Sequence, residues 1–300
     1  MFGPALSFDT RVLAEAYDRR PFVFRHQLAE EPLLGRDQIF QLARRCPPAE
    51  VLHRVGQVPV NAQLDDAHLK HPTGLALDET LERFDDLKAA LTINTPETDP
   101  AYRPLAEAVM DEIRAALRPL GEIVTWYATY IFVSTPGTIT PYHMDRELNF
   151  LLQVHGRKRV RLWNPWDQRV MTTEEVEGLF ALWGSIPRPG LHPEAEGLAT
   201  EDQLTPGLGV HHPFIAPHVV ETLDQPSVSW AFTFRTRSTD RITELAKINH
   251  RLRRVGLRPG RPGSSALADP IKLAASALGR PVYASLRKLK HALAGGARPD

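Results

Sequence analysis

The sequence predicts a mainly β domain carrying α-helices at both ends, and three observations point there. The middle of the chain leaves helical spacing for β-branched and aromatic runs, of which Thr125-Trp126-Tyr127-Ala128-Thr129-Tyr130-Ile131-Phe132-Val133 is the longest. Turn signals punctuate it at Pro136-Gly137, His155-Gly156 and Pro206-Gly207. With 300 residues, 42% hydrophobic and 24% charged, the chain is long enough to bury one sizeable core.

In order, residues 9–17 place apolar side chains at helical spacing, and Pro21-Phe22-Val23-Phe24 is a short strand behind a proline. Residues 36–45 read as a helix stopped by Pro47-Pro48, and residues 51–60 as an early strand or hairpin. Residues 77–120 read as mostly helical, starting at Asp78-Glu79-Thr80 and interrupted over 94–104; these helices are expected to cover an outer face of a sheet. After the long strand at 125–133, residues 148–154 and 158–163 read as a hairpin about His155-Gly156. Residues 164–206 are too long for a simple connection and contain a helical pattern at 173–183, as lids and substrate-binding loops do. Val210 to Phe214 reads as strand and residues 228–236 as the final one. Helices at 241–255 and 270–293 follow, separated by a Gly/Pro/Ser-rich linker over 256–265. The predicted organisation is a domain over 1–240 and a basic helical extension over 241–300.

The only cysteine, Cys46, excludes an intramolecular disulfide, and Met1-Phe2-Gly3-Pro4 opens no signal peptide, so a reducing cytoplasm is expected. No stretch approaches the roughly 18 apolar residues of a membrane span. The formal charge of zero hides an asymmetry, since residues 247–300 carry twelve Lys/Arg against Asp269 and Asp300. Such a segment can meet nucleic acid, anionic lipid or an acidic partner, but a solvated helical face is the favoured reading. Val282, Leu286, Leu289 and Leu293 form an apolar stripe at helical spacing.

The chemistry concentrates in His143-Met144-Asp145. In an extended strand, residues two apart share a face, so both side chains can reach one metal. His218, in Ala216-Pro217-His218-Val219, supplies a third ligand from a distant strand. Two imidazoles and one carboxylate on one face of an octahedron leave open positions, as in non-haem Fe(II) oxygenases. A His-x-Asp pair alone is weak, being equally readable as a hydrogen-bonded pair on a strand. Its neighbours strengthen it. Asn149, Leu151 and Gln153 continue the same parity, and Lys158 shares a face with Val160 and Leu162 while Arg157, Arg159 and Arg161 face the other way. A buried lysine is costly unless an anion pairs with it, and the distal carboxylate of a dicarboxylic co-substrate supplies one.

His211-His212 could supply a ligand, but the favoured reading places one ring inside and one in solvent, and His155 is expected to be solvated in its turn. Trp163, Trp166, Trp183 and Trp230 read as core or pocket walls, and no P-loop, dinucleotide fingerprint or CxxC pair occurs.

Thr140-Pro141-Tyr142-His143-Met144-Asp145, followed by Asn149-Phe150, Gly156-Arg157-Lys158-Arg159 and His218-Val219-Val220-Glu221, resembles the jumonji-C/cupin-like hydroxylases, among them the asparaginyl hydroxylases acting on hypoxia-inducible factor. The resemblance is dense over residues 123–165 and resumes over 206–234. It implies a double-stranded β-helix, or jelly roll, with His143, Asp145 and His218 on Fe(II). It further implies Lys158 and Thr140 on the C5 carboxylate of 2-oxoglutarate and Asn149 near its C1 end. Thr233 stands where those hydroxylases carry a second asparagine, and their co-substrate tyrosine has only Tyr127, Tyr130 or Asn94 as counterparts. The implied activity is 2-oxoglutarate-dependent oxidation of a peptide or protein side chain or a small metabolite, with demethylation chemically equivalent, and pairing of two copies through C-terminal helices. The alternative is a non-catalytic cupin-type sensor that uses its basic C-terminal segment on DNA or a partner.

Overall fold

The computed structural model describes residues 4–277. Twelve strands are present among them: β1 (Leu6–Ser7), β2 (Phe22–His26), β3 (Val51–Val55), β4 (Ala89–Asn94), β5 (Val124–Ser134), β6 (Ile139–His143), β7 (Leu148–His155), β8 (Lys158–Leu162), β9 (Thr200–Leu204), β10 (Leu208–His212), β11 (His218–Thr222) and β12 (Ser227–Thr236). All pair antiparallel, in an eight-stranded sheet of order β1-β2-β10-β7-β12-β5-β4-β3 and a four-stranded sheet of order β6-β11-β8-β9. The two sheets form a jelly roll. Leu151, Val210 and Ala231 of the larger sheet pack in one apolar cluster with Val160, Leu162, Leu204 and Val220 of the smaller.

Two conditions set these elements. β8 buries alternate residues, Lys158, Val160 and Leu162, as a strand with one solvated face does. β7 and β12 sit at the centre of the large sheet and are buried on both faces, so burial does not alternate along them and the polar Asn149, Gln153, Ser229 and Thr233 are buried with their apolar neighbours. The helix Arg103–Leu117 turns Ala106, Val109, Met110, Ile113 and Leu117 inward, with Pro104 in its first turn where no N–H is required. Its Glu112 carboxylate accepts from the N–H groups of Ala5 and Leu6, both at 2.7 Å, and so ties down β1.

Two expectations are corrected. Residues 89–94, expected within a helical stretch, form β4, inserted between β3 and β5. The helix-favouring Ala89, Ala90 and Leu91 are overruled there by two strand partners that offer complete ladders. Residues 148–154 and 158–163 are not a hairpin: β7 pairs with β10 and β12, whereas β8 pairs with β11 and β9. The chain crosses between sheets at Gly156, whose φ of +68° is left-handed and where an added Cβ would lie 2.2 Å from the Pro226 carbonyl oxygen.

By its contacts the chain divides into two units. The first runs to Thr172, resumes over Gly184–Thr239 and contains the whole jelly roll. The second comprises Thr173–Trp183 and the chain from Asp240 onward. Within it, Arg253 of the helix Arg237–Arg254 bonds the buried Glu177 carboxylate at 2.7 and 3.2 Å. Residues 268–277 are helical; the apolar stripe from Val282 to Leu293, and with it the expected contact between copies, lies outside the described residues. No helix among the described residues is long and apolar enough to cross a membrane.

Candidate metal centre

His143 is the last residue of β6 and His218 the first of β11, and the antiparallel pairing of these strands sets the two opposite one another. Their ring centroids are 4.0 Å apart. Asp145 follows the end of β6, and its carboxylate turns back to the rings, 3.7 Å from His143 Nε2 and 3.9 Å from His218 Nε2. One ligand atom from each residue falls within 4.8 Å of the others.

The backbone fixes both tautomers. His143 Nδ1 lies 2.8 Å from the Pro141 carbonyl oxygen, and His218 Nδ1 lies 3.0 Å from that of Ala216. A carbonyl only accepts, so each Nδ1 carries the proton and each Nε2 presents its lone pair to the shared point. Burial, aided by the neighbouring His218, pushes the His143 pKa down to about 3, and burial lowers that of His218. Both rings are neutral and ligand-competent at pH 7. Burial works to raise the Asp145 carboxyl, but His143, His218 and Arg188 outweigh it and the net shift is downward. Neutral imidazoles and an ionised carboxylate converging on one point fit a divalent transition metal.

The three residues open onto a cavity of about 350 Å³. Thr140, Asn149, Lys158 and Thr233 line it as well, so these four co-substrate candidates share one space with the three candidate ligands. Thr233 and Asn149 are opposed across β12 and β7. Tyr130 and Asn94, opposed across β5 and β4, also line the cavity, whereas Tyr127 does not and packs under the Arg114 guanidinium, 5.3 Å from its ring centroid.

Lys158 is only 4% exposed, and burial lowers its pKa to about 7. Among the described residues no carboxylate lies within ion-pair distance of its ammonium, whose recorded neighbour is the Phe132 ring at 5.6 Å. Of the tryptophans, Trp163 and Trp230 are fully buried and none lines this cavity.

One site residue, Arg188, escaped the sequence, and His212 was ranked low by it. Arg188, from the long 164–206 connection, donates from Nη1 to the Met144 carbonyl at 2.8 Å, stands 3.6 Å from Asp145 Oδ1 and holds Asp65 through Nε and Nη2. No periodicity or motif marks it; only the length of that connection hints at a contribution. His212 was expected to form with His211 one buried and one exposed ring, but both are buried, at 0% and 3% exposure. Gly209 to His212 of β10 are all buried, so neither face of the strand meets solvent. His211 turns to Phe22, Phe150 and Tyr17, and His212 turns to the cavity.

A jelly roll that brings two imidazoles and a carboxylate to one point in a cavity defines a cupin-type domain with a site that could hold a metal ion. The chain belongs to the cupin-like domain family, whose model matches residues 60–261. Solved structures of YcfD from Escherichia coli are similar to this chain. One superposes at a TM-score of 0.49 with 19% identity, covering 91% of this chain and 67% of that one. Another, described as a ribosomal oxygenase, gives 0.46 with 20% identity over 91% and 66%. A third, the ribosomal oxygenase in complex with cobalt and 2-oxoglutarate, gives 0.44 with 18% identity over 91% and 66%. The chain thus spans about two thirds of the length of those proteins. No curated protein matches it in sequence.

Proposed function

We propose that this protein is an Fe(II)- and 2-oxoglutarate-dependent dioxygenase. The observation that carries the reading is the joint placement, in one cavity, of the His143–Asp145–His218 set and the buried cation of Lys158. The first fits a redox-active metal with open positions; the second needs an anion, and a dicarboxylic 2-oxo acid answers both.

In this reading His143 and His218 give Nε2 and Asp145 gives a carboxylate oxygen to iron. Bound iron supplies dioxygen activation coupled to decarboxylation of 2-oxoglutarate to succinate. Lys158 and Thr140 hold the C5 carboxylate, and Asn149 and Thr233 face the end nearer the metal. Arg188 holds the Met144 carbonyl and flanks Asp145, which keeps that carboxylate oriented. Both sheets wall this space, with Thr140, Lys158 and His218 on one side and Asn149, His212 and Thr233 on the other.

The substrate in this reading is a peptide or protein side chain, asparagine included, or a small metabolite of similar size. A cavity of about 350 Å³ takes the co-substrate and leaves room for one such group. A reducing cytoplasm, where Cys46 stays a thiol, is the compartment that suits the chemistry.

The test is turnover: anaerobically prepared protein given Fe(II), 2-oxoglutarate, oxygen and candidate peptides should release succinate and add about 16 Da to one peptide, as expected for insertion of one oxygen. Succinate at the no-enzyme level under all these conditions would refute the reading.

A further inference from the structure

His212 is buried beside the metal centre with neither ring nitrogen hydrogen-bonded. Its ring stands edge-on to that of His218 at 4.5 Å, yet it is not among the three residues whose ligand atoms converge. Across β10 and β7 it is directly opposed to Asn149, which is in turn opposed to Thr233 on β12. Directly opposed residues of antiparallel strands share a face, so imidazole, amide and hydroxyl form one polar row along the cavity wall. All three line the cavity, and Asn149 Oδ1 is also buried without a partner.

Buried polar atoms are almost always paired, and an unpaired one costs stability that an apolar side chain would not. His211 shows the contrast one residue earlier: its Nδ1 faces the Asn149 carbonyl oxygen and its Nε2 accepts from the Asp18 N–H, both at 3.2 Å. A histidine filling space would be satisfied as His211 is, or be replaced by an aromatic ring. Both nitrogens of His212 are instead left for something the cavity receives.

We infer that His212 contacts the co-substrate, its ring N–H donating to the metal-chelating carboxylate of a bound 2-oxo acid beside the Asn149 amide. This rests on the functional reading above. It assigns a role to a residue that neither ligates metal nor faces the Lys158 end.

The test separates this contact from mere packing against His218. His212→Phe keeps an aromatic ring and deletes both nitrogens, while His212→Gln and His212→Met are close in volume and differ in hydrogen bonding. Fe(II) affinity without 2-oxo acid, thermal midpoint, and anaerobic 2-oxoglutarate affinity from the visible band of the Fe(II) complex are measured for each. The expected result is Fe(II) affinity as in the wild type and a midpoint no lower in His212→Phe, with 2-oxoglutarate bound about 10- to 100-fold more weakly. His212→Gln should bind it more tightly than His212→Met, a comparison that stands even if the Phe variant does not fold. Equal 2-oxoglutarate affinity in Gln and Met variants, or a loss confined to Fe(II) affinity, would overturn the inference. If the wild type itself binds no 2-oxoglutarate, the functional reading fails and this inference falls with it.

Discussion

Lys158 Nζ lies 5.6 Å from the centroid of the Phe132 ring, inside a cavity that holds no carboxylate within ion-pair reach of it among the described residues. An ammonium so placed destabilises the empty protein and is relieved by an anion. Lys158→Met, which replaces it with an apolar stem, should fold at least as stably as the wild type. Its 2-oxoglutarate affinity should fall by about 2 to 5 kcal/mol, the usual cost of removing one partner of a buried charge pair. Calorimetric titration of the metal-loaded variant measures this, and unchanged affinity would move the anchoring role elsewhere.

The same lysine gives the empty protein a pH signature. Its folded pKa, lowered by burial to about 7, lies below the ordinary value of 10.5, so between these limits the unfolded chain binds more protons. Stability contributed by this group should therefore rise from pH 7 to 10.5 in the wild type and stay flat in Lys158→Met. Binding of 2-oxoglutarate should take up a proton above pH 7, visible as a dependence of the binding heat on buffer ionisation. A wild type and variant with parallel stability profiles would contradict the assignment.

Acid should act through different groups. Burial holds His26 down to about 4 and His211 down to about 3, against an ordinary 6.5. For such depressed groups the stability is fully present above pH 6.5 and is lost as pH falls towards 4 and then 3. The thermal midpoint should decline from pH 6.5 downward, and His211→Gln should flatten part of that slope. A midpoint constant between pH 6.5 and 4 would show that these rings are not buried as neutral groups.

Gly156→Ala should cost about 2 kcal/mol or more, because the new Cβ meets the Pro226 carbonyl in a left-handed conformation. Gly74, also at positive φ but with nothing within 4 Å of an added Cβ, should lose less on the same substitution. Denaturant midpoints of the two variants give the comparison; equal losses would leave backbone conformation alone as the cause.

What the sequence disclosed follows from what its signals report. Parity along one strand is local, so the shared cavity face of Asn149 and the inward turn of Lys158 were readable, as was the His143–Asp145 pair. Strand partnership is not local: β7 and β8 are joined by a turn dipeptide that fits a hairpin equally well, and only the rest of the fold sends them to different sheets. β4 was missed because Ala and Leu favour helix until two neighbouring strands outbid it. Arg188 arrives from a connection with no periodicity, and His212 looked like half of an alternating pair because a strand's own sequence does not say whether both of its faces are covered.

Anaerobic addition of Fe(II) and 2-oxoglutarate to the purified protein tests the central claim most directly, because it reads ligand set and co-substrate anchor together before any substrate is known. The wild type should develop the weak visible charge-transfer band of the chelate, and His143→Ala, Asp145→Ala and His218→Ala should not. No band in the wild type, or a band that persists in the ligand variants, would contradict the account.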